Sequence, residues 1–181
     1  EERARACLAL GRIGGENAAA RLIQALNDPA ASVRAYAAFG LGLIGDRNWM
    51  ARSEASSEAA QALGHVLQDG DRRVVTYAVE ALGKMRWRRL GRAIANTPAP
   101  LAVTLTALVR MDDSRFVDWM TSATRSDDQD IRWAATVALE ELQAPVTDDI
   151  TRAYLRLAKD RNDFVRAAVA RGLGRLEPQE N

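Results

Sequence analysis

Cysteine and histidine are almost missing from this sequence, which has one of each in 181 residues, Cys7 and His65. An intrachain disulfide needs two cysteines, and a structural zinc site needs four cysteine or histidine ligands, so neither can form. We therefore predict no metal site, no cofactor and no catalytic residue. The chain therefore does not depend on an oxidising compartment, although it could occupy one. The location stays unknown, with the cytoplasm slightly favoured.

Aromatic side chains are also scarce, at 6% of the residues, and neither sign of charge dominates. Strands are enriched in aromatic and β-branched residues, whereas the abundant alanine, leucine and arginine favour helices. The 25 basic and 24 acidic residues nearly cancel, so the chain as a whole has little attraction for nucleic acid or an anionic membrane. No apolar run approaches the roughly 20 residues of a membrane span, and no signal peptide is visible.

One helical pattern recurs six times along the chain. Residues 33–45 (VRAYAAFGLGLIG) and 165–176 (VRAAVARGLGRL) share an apolar first residue, taken as step zero, with leucine at step eight and an aliphatic residue at step eleven. This spacing is typical of a helix that buries one face. The other four copies begin near Glu2, Val74, Pro100 and Ile131. Shorter amphipathic segments precede five copies, at residues 18–26, 58–67, 87–95, 115–123 and 150–159.

Turns rich in aspartate separate the two segments of most repeats, as in Asn27-Asp28-Pro29. Such side chains accept hydrogen bonds from backbone N–H groups at a helix N-terminus. Each repeat is therefore predicted to be an antiparallel helix pair, A then B, and the first repeat lacks its A helix. This organisation predicts an all-α fold, an α-solenoid (armadillo-like superhelix) of about six helix pairs spanning residues 1–176, with a short tail at 177–181.

The second and third repeats are separated by an insertion at about residues 46–57, which contains Trp49 and Met50. These side chains either cover the edge of the core, which is the commoner outcome, or meet a partner. The chain opens in what reads as the middle of a helix. We therefore expect it to belong to a larger protein, and its alanine and arginine content suggests a bacterial source.

The pattern Leu-x-Asp-Pro followed by Val-Arg-x-x-Ala-Ala-x-x-Leu-Gly-x-Ile-Gly, at residues 26–45, resembles the HEAT repeat family. It is most similar to the bacterial HEAT-like subgroup first noticed in phycobilin lyases. The resemblance covers nearly the whole chain. It implies a curved stack with B helices on the concave side, and a ladder between each turn aspartate and the arginine at step one. Matching pairs are Asp28 with Arg34, Asp160 with Arg166, and Asp130 or Asp127 with Arg132, whereas Val75 replaces the arginine in the third repeat.

Steps three, six and ten of each B helix are predicted to face the concave surface. In the second to fourth repeats they are Tyr36, Phe39 and Leu43, then Tyr77, Glu80 and Lys84, then Val103, Thr106 and Arg110. Aromatic anchors rimmed by charges such as Arg12, Glu80 and Lys84 are typical of binding interfaces. An equally open interpretation is that the rings fill the gap between adjacent B helices.

The sequence thus predicts a non-catalytic scaffold that binds a peptide or protein domain on the concave B-helix face. The N-terminal helix lacks an A partner and offers a second surface, for self-association. The alternative is a nucleic-acid-binding repeat protein, because cations and an indole ring can grip phosphate and stack on a base. Its candidate residues are Arg86, Trp87, Arg88, Arg89 and Arg92.

A solvated surface is the favoured interpretation of that arginine cluster, because the chain is nearly neutral. The third function class is a repeat-built enzyme, similar to a phycobilin lyase or to helical-repeat DNA glycosylases, which Asp118, Trp119 and Trp133 faintly resemble. It ranks last because no carboxylate pair is placed for acid–base chemistry. Trp133 is predicted to pack rather than to contact a partner.

Overall fold

The computed structural model describes residues 1–46, 54–112, 114–142 and 147–174, and within these ranges the chain is helical and contains no strand. The six predicted B helices are confirmed as α1 (Glu2–Ile13), α3 (Ala31–Gly45), α5 (Arg72–Lys84), α7 (Leu101–Arg110), α9 (Gln129–Glu141) and α11 (Asp163–Gly174). The five A helices are α2 (Glu16–Ala25), α4 (Glu54–His65), α6 (Gly91–Ala95), α8 (Val117–Ala123) and α10 (Asp148–Leu157). Single 3₁₀ turns lie at Val66–Gln68, Arg88–Leu90 and Ser114–Phe116.

The helices form two compact units, Glu1–Met111 with α1 to α7 and Asp112–Asn181 with α8 to α11. One array over residues 1–176 stays a prediction. Helix α4 begins at Glu54, so the predicted insertion ends before residue 57. Trp49, Met50 and the tail at 177–181 lie outside the described residues.

The core of the first unit lies between its A and B helices. Steps eight and eleven of α3 are Leu41 and Ile44, and both are fully buried together with Leu22 of α2 and Leu63 of α4. The stripe expected from the sequence is therefore the buried face, because these steps return to the same side of a helix with 3.6 residues per turn.

Adjacent B helices of the first unit touch through small residues. A Cβ atom added to Gly11 would lie 2.6 Å from the Gly40 Cα atom, one on Gly42 would lie 3.1 Å from the Ala81 Cα atom, and one on Gly83 would lie 2.7 Å from the Ala107 Cα atom. Each contact joins step nine of one B helix to step seven of the next. Only glycine or alanine permits backbones to approach so closely.

In the second unit, step nine of α9 is Glu140 instead of glycine. Its buried carboxylate accepts hydrogen bonds from the Arg171 Nε atom of α11 at 3.2 and 3.3 Å. Helices α9 and α11 are therefore joined here by an ion pair.

An arginine–aspartate ladder links neighbouring repeats, in addition to the pairing within each repeat that the family resemblance implied. Arg34 donates from Nε and Nη2 to the carboxylate of Asp69 in the next repeat, at 2.7 and 2.9 Å. From Nη1 it donates to the backbone carbonyls of Asp28 and Pro29 in its own turn. The pairing of Arg34 with Asp28 that the resemblance implied is therefore made through the Asp28 carbonyl oxygen, whereas the carboxylate that Arg34 bonds is that of Asp69.

The same arrangement recurs at the other arginines of the ladder. Arg132 donates to the Asp160 carboxylate at 2.7 and 3.0 Å, and Asp28 accepts from Arg3 at 2.9 and 3.2 Å. Arg166 donates to the backbone carbonyls of Asp160 and Arg161. Arg34, Arg132 and Arg166 thus stabilise their own turns, and Arg3, Arg34 and Arg132 each also bond the turn of the next repeat.

We expect Gly83→Ala to lower the free energy of unfolding, measured by urea denaturation. The new methyl group must displace the backbone of α7, and overpacking costs about 1–3 kcal/mol, against a helix-propensity gain of about 1 kcal/mol. Gly70→Ala is the matched control, because a Cβ atom there meets nothing within 4 Å. A Gly83→Ala variant that is more stable than the parent by the full helix-propensity gain of about 1 kcal/mol would show that the B helices are not in close backbone contact.

We expect Asp69→Asn to destabilise the protein by about 1–3 kcal/mol near neutral pH, because it removes charge-assisted hydrogen bonds to Arg34. The Asp69 side chain is only 9% exposed. The control is Asp149→Asn, which affects an exposed ion pair with Arg152 and should change stability little.

Acid pH gives a second test of the same ion pair. The hydrogen bond from Arg34 lowers the pKa of Asp69, so its stabilisation is present above the unfolded pKa of about 3.9 and is lost as pH falls through the folded value. Unfolding measured between about pH 6 and 2.5 should therefore show a smaller acid-induced loss of stability in Asp69→Asn. Parallel stability curves for the variant and the parent would contradict this account.

Candidate partner-binding surface

The residues at steps three, six and ten of α1, α3, α5 and α7 form one surface of the first unit, which we call the B-helix face. On α3, Tyr36 is 40% exposed, and Phe39 and Leu43 are partly exposed, whereas the flanking Ala37 and Ala38 are fully buried. Small buried residues between helices leave room for large side chains only on the outer side. The structure thus brings the predicted aromatic residues to an accessible position.

Phe39 and Tyr77 connect α3 to α5. Their ring centroids lie 5.4 Å apart with an interplanar angle of 62°, an edge-to-face contact. The Lys84 Nζ atom lies 5.6 Å from the centroid of the Phe39 ring, within reach of a cation–π interaction. The two interpretations of these rings each apply in part: Phe39 and Tyr77 pack between neighbouring helices, and Tyr36 stands out from them.

A concavity of about 300 Å³ lies beside this aromatic cluster, between α5 and α7. Its lining includes Glu80, Lys84, Ala102, Val103, Thr106 and Arg110. Most of these lining residues lie at steps three, six or ten of α5 and α7. The concavity itself was missed by the sequence analysis, because its depth depends on how far apart α5 and α7 lie.

Positive charge predominates at the C-terminal ends of these B helices. Step ten is Arg12 on α1, Lys84 on α5 and Arg110 on α7, each in the last turn, where a cation complements the helix dipole. Glu80 is the acidic residue on the same face, and Arg5 forms an ion pair with Glu1 at 2.7 Å. The B-helix face therefore combines exposed aromatic surface with a net positive rim.

The arginine cluster is divided among different structural roles. The Arg88 Nε atom donates to the Met111 carbonyl oxygen at 2.7 Å and so holds the 3₁₀ turn Arg88–Leu90 against the end of α7. Arg86 has a φ of 53°, Trp87 is partly buried, and Arg89 and Arg92 are exposed. A nucleic-acid interface on these residues stays a prediction.

Trp133 in the second unit is exposed, so the prediction that it packs was wrong. Instead of entering the core, its side chain lines a concavity of about 250 Å³ with Asp130, Asn162 and Phe164. Phe164 is also exposed and was missed by the sequence analysis. The sequence feature that could have indicated this exposure is the position of Phe164 directly after the Asn162-Asp163 turn.

Cys7 is a packing residue. It is buried in α1, and burial raises the pKa of its thiol, which makes the thiol less reactive. Among the described residues, no group of three or more histidine, cysteine, aspartate or glutamate side chains is arranged to hold a metal ion. In the same ranges, no helix has both the length and the apolar character needed to span a bilayer.

Comparison with known families agrees with this repeat geometry. A model described as HEAT repeats matches residues 19–95, and one described as PBS lyase HEAT-like repeat matches residues 2–28. The chain is an α-solenoid protein, and its residues 2–95 belong to the HEAT-type helical-repeat family. The sequence matches no curated protein.

Several solved structures share the fold. The complex of CpcE and CpcF of phycocyanin lyase from Nostoc sp. PCC7120 is 20% identical with a TM-score of 0.68, over 95% of this chain and 70% of that one. A designed armadillo repeat protein in complex with peptide (KR)4 is 13% identical with a TM-score of 0.70, over 95% and 90%. An archaeal HEAT-like repeats protein from Thermococcus onnurineus NA1 is 14% identical with a TM-score of 0.59, over 96% and 74%. At these identities the likeness shows the fold alone.

The burial of the aromatic residues predicts how much each contributes to stability. Tyr36→Ala should change the free energy of unfolding by less than about 1 kcal/mol, because much of the ring is already in water. Phe39→Ala should cost more, about 1–2 kcal/mol, because it removes the contact with Tyr77. Urea denaturation of both variants tests the order. A larger loss in Tyr36→Ala would mean that Tyr36, not Phe39, fills the gap between the helices.

Proposed function

We propose that this chain is a non-catalytic protein-interaction module whose B-helix face binds a peptide segment carrying aromatic or aliphatic and acidic side chains. The observation that carries the proposal is the aromatic cluster of the exposed Tyr36 with the partly buried Phe39 and Tyr77, which lies beside a cation-rimmed concavity. In this proposal the surface binds and holds a partner but performs no chemistry on it.

The aromatic cluster is suited to provide most of the affinity. Binding hot spots are enriched in tyrosine, and rigid rings lose little conformational entropy when a partner covers them. Phe39 and Tyr77 already support each other, so a partner meets preorganised rings. Tyr36 presents the accessible side of the cluster, and an apolar side chain seated on it would bury both surfaces.

The charges are suited to select the partner. Arg12, Lys84 and Arg110 outnumber Glu80 on the B-helix face, which favours carboxylates in the bound segment and disfavours a basic one. Exposed ion pairs contribute little affinity, so these cations would act mainly on specificity and the rate of association. A carboxylate near Lys84 would also approach the concavity between α5 and α7.

Two structural neighbours make a peptide or protein partner plausible by analogy of fold. One is a designed armadillo repeat protein in complex with the peptide (KR)4, and the other is the complex of CpcE with CpcF. The charge on the B-helix face here is positive, so we do not expect this chain to bind a basic peptide such as (KR)4. Fold analogy supports only the class of partner, a peptide or a protein. The chemistry of that partner has to be argued from the residues of the site.

A pair of peptides that differ only in charge tests the proposal. In one, glutamate alternates with phenylalanine and leucine, and in the other lysine replaces every glutamate. Fluorescence anisotropy with the full chain should show the acidic peptide binding at least about tenfold more tightly, a difference of about 1.4 kcal/mol. Equal binding, or a preference for the lysine peptide, would disprove the proposed specificity.

Substitutions then locate the site. The double variant Tyr36→Ala/Phe39→Ala should weaken binding of the acidic peptide by about tenfold or more, with helicity retained by circular dichroism. Phe164→Ala removes an exposed ring from the second unit and is the matched control, with unchanged affinity expected. If the control weakens binding as much as the double variant does, the B-helix face is not the site.

A screen against single-stranded DNA separates the alternative function from this one. DNA binding that falls steeply with salt, and that disappears when Arg86, Arg89 and Arg92 are replaced together by serine, would support the arginine cluster instead. We expect no such binding from a nearly neutral chain.

A further inference from the structure

Two exposed aromatic rings of the second unit line one concavity that is separate from the B-helix face. Trp133 on α9 is 44% exposed, and Phe164 at the start of α11 is 68% exposed. Both line the concavity of about 250 Å³ together with Asp130 and Asn162. Ordinary ligand pockets measure about 300–1,000 Å³, so this concavity fits one side chain rather than a whole ligand. Aromatic residues at the surface are enriched where a protein binds a partner.

The exposure of these rings follows from their positions in the repeat. Phe164 lies one residue before step zero of α11. Arg73 of α5 and Asp130 of α9 occupy the same position, and both are exposed although another B helix follows each of them. Trp133 occupies step two of α9, where α3 has the small, buried Ala35. An indole is too large for the space that alanine fills beside the next helix, so the ring of Trp133 lies at the surface.

Hydrogen bonds at the start of α11 hold the two rings in place. The Asn162 Oδ1 atom accepts from the backbone N–H groups of Phe164 and Val165, at 2.8 and 3.3 Å, and so caps the helix. The Asn162 Nδ2 atom donates to the Gln129 Oε1 atom at 3.0 Å, which ties this turn to the start of α9. The rings therefore lie on two helix ends that are bonded to each other, and a partner meets a preformed concavity.

The polar groups of the concavity select a cation. The Asn162 amide is already used within the protein, whereas no hydrogen bond or ion pair from a described residue reaches the Asp130 carboxylate. A carboxylate only accepts hydrogen bonds, so the occupant has to donate them. Tryptophan is also the side chain whose ring attracts a cation most strongly. A nucleotide is disfavoured, because Asp127, Asp128 and Asp163 are exposed in the same two turns and repel phosphate.

Cations in these turns limit how much positive charge the site accepts. Arg161 and Arg166 are exposed beside the start of α11, and Arg166 donates to the turn carbonyls without a described carboxylate partner. They would repel a run of basic residues such as (KR)4. Among the described residues that line the concavity itself, Asp130 is the charged one, so a single cation between the rings is attracted.

We infer that this concavity binds the side chain of one arginine in a partner segment. A planar guanidinium stacks on an aromatic ring such as Trp133 and donates two parallel hydrogen bonds to a carboxylate such as Asp130, and an ammonium group cannot do both. Phe164 then covers the aliphatic part of the arginine side chain, which buries apolar surface on both sides. The site lies in the second unit and is independent of the proposed B-helix face.

Two blocked glycine–serine peptides test this assignment on the full chain, one with a single central arginine and one with citrulline, its uncharged isostere. The indole N–H signal of Trp133, identified by its absence in Trp133→Phe, is followed by NMR as each peptide is added. The arginine peptide should shift this signal and bind at least about tenfold more tightly than the citrulline peptide. Equal binding, or no shift up to the highest soluble peptide concentration, would overturn the inference.

Substitutions of two exposed aspartates separate the site from a general effect of charge. Asp130→Asn should weaken binding of the arginine peptide at least about fivefold, because it removes the acceptor of charge-assisted hydrogen bonds. Asp148→Asn is the matched control, since Asp148 is also an exposed acidic residue in the first turn of a helix of the second unit, and its affinity should equal that of the parent. Equal losses in the two variants would contradict a site at Asp130.

Two further ligands complete the test. A lysine peptide that binds as tightly as the arginine peptide would overturn the assignment to a guanidinium. An oligothymidine that shifts the Trp133 signal at lower concentration than the arginine peptide would overturn it in favour of base stacking. Binding of the acidic peptide to the B-helix face should be the same in Asp130→Asn and in the parent, so the two proposals fail independently.

Discussion

Close contact between neighbouring B helices is the constraint on which the rest of the first unit depends. Gly11 meets Gly40, Gly42 meets Ala81 and Gly83 meets Ala107, each between step nine of one helix and step seven of the next. Helices that touch in this way leave no room for large side chains between their axes. Large residues must therefore lie in the A–B core, as Leu41 and Ile44 do, or on the outer face, as Tyr36 does.

The ladder complements this contact at the turns, although it is not continuous. Arg3 and Arg34 each reach a carboxylate of the following repeat, but Val75 occupies the arginine position of α5 and is buried. There, the contact of Gly83 with Ala107 and the hydrogen bond from Arg88 to Met111 hold the neighbouring elements. The B-helix face thus spans two kinds of helix contact. The contact between the repeats of α3 and α5 includes a ladder ion pair, and the contact between the repeats of α5 and α7 does not.

The sequence predicted the helices well because one register repeats six times and each copy places apolar residues on one side. The ladder was predicted only in part. The resemblance implied that Arg34 pairs with Asp28, which it does through the Asp28 carbonyl oxygen, and only the packing of α3 beside α5 shows that Arg34 also bonds the Asp69 carboxylate. Trp133 was misassigned for a similar reason. Step two is buried at Ala35 of α3 but exposed in α9, a difference that depends on the neighbouring helix rather than on the repeat.

The account's central claim is that a partner binds the face formed by steps three, six and ten of α3, α5 and α7. The most direct measurement is backbone NMR of the isotope-labelled chain titrated with the acidic peptide. The account predicts that the largest shift changes cluster around Tyr36, Tyr77 and Val103, and that residues of the A helices stay nearly unchanged. Changes centred on Arg89 and Arg92 of the arginine cluster, or spread evenly over both units, would contradict it.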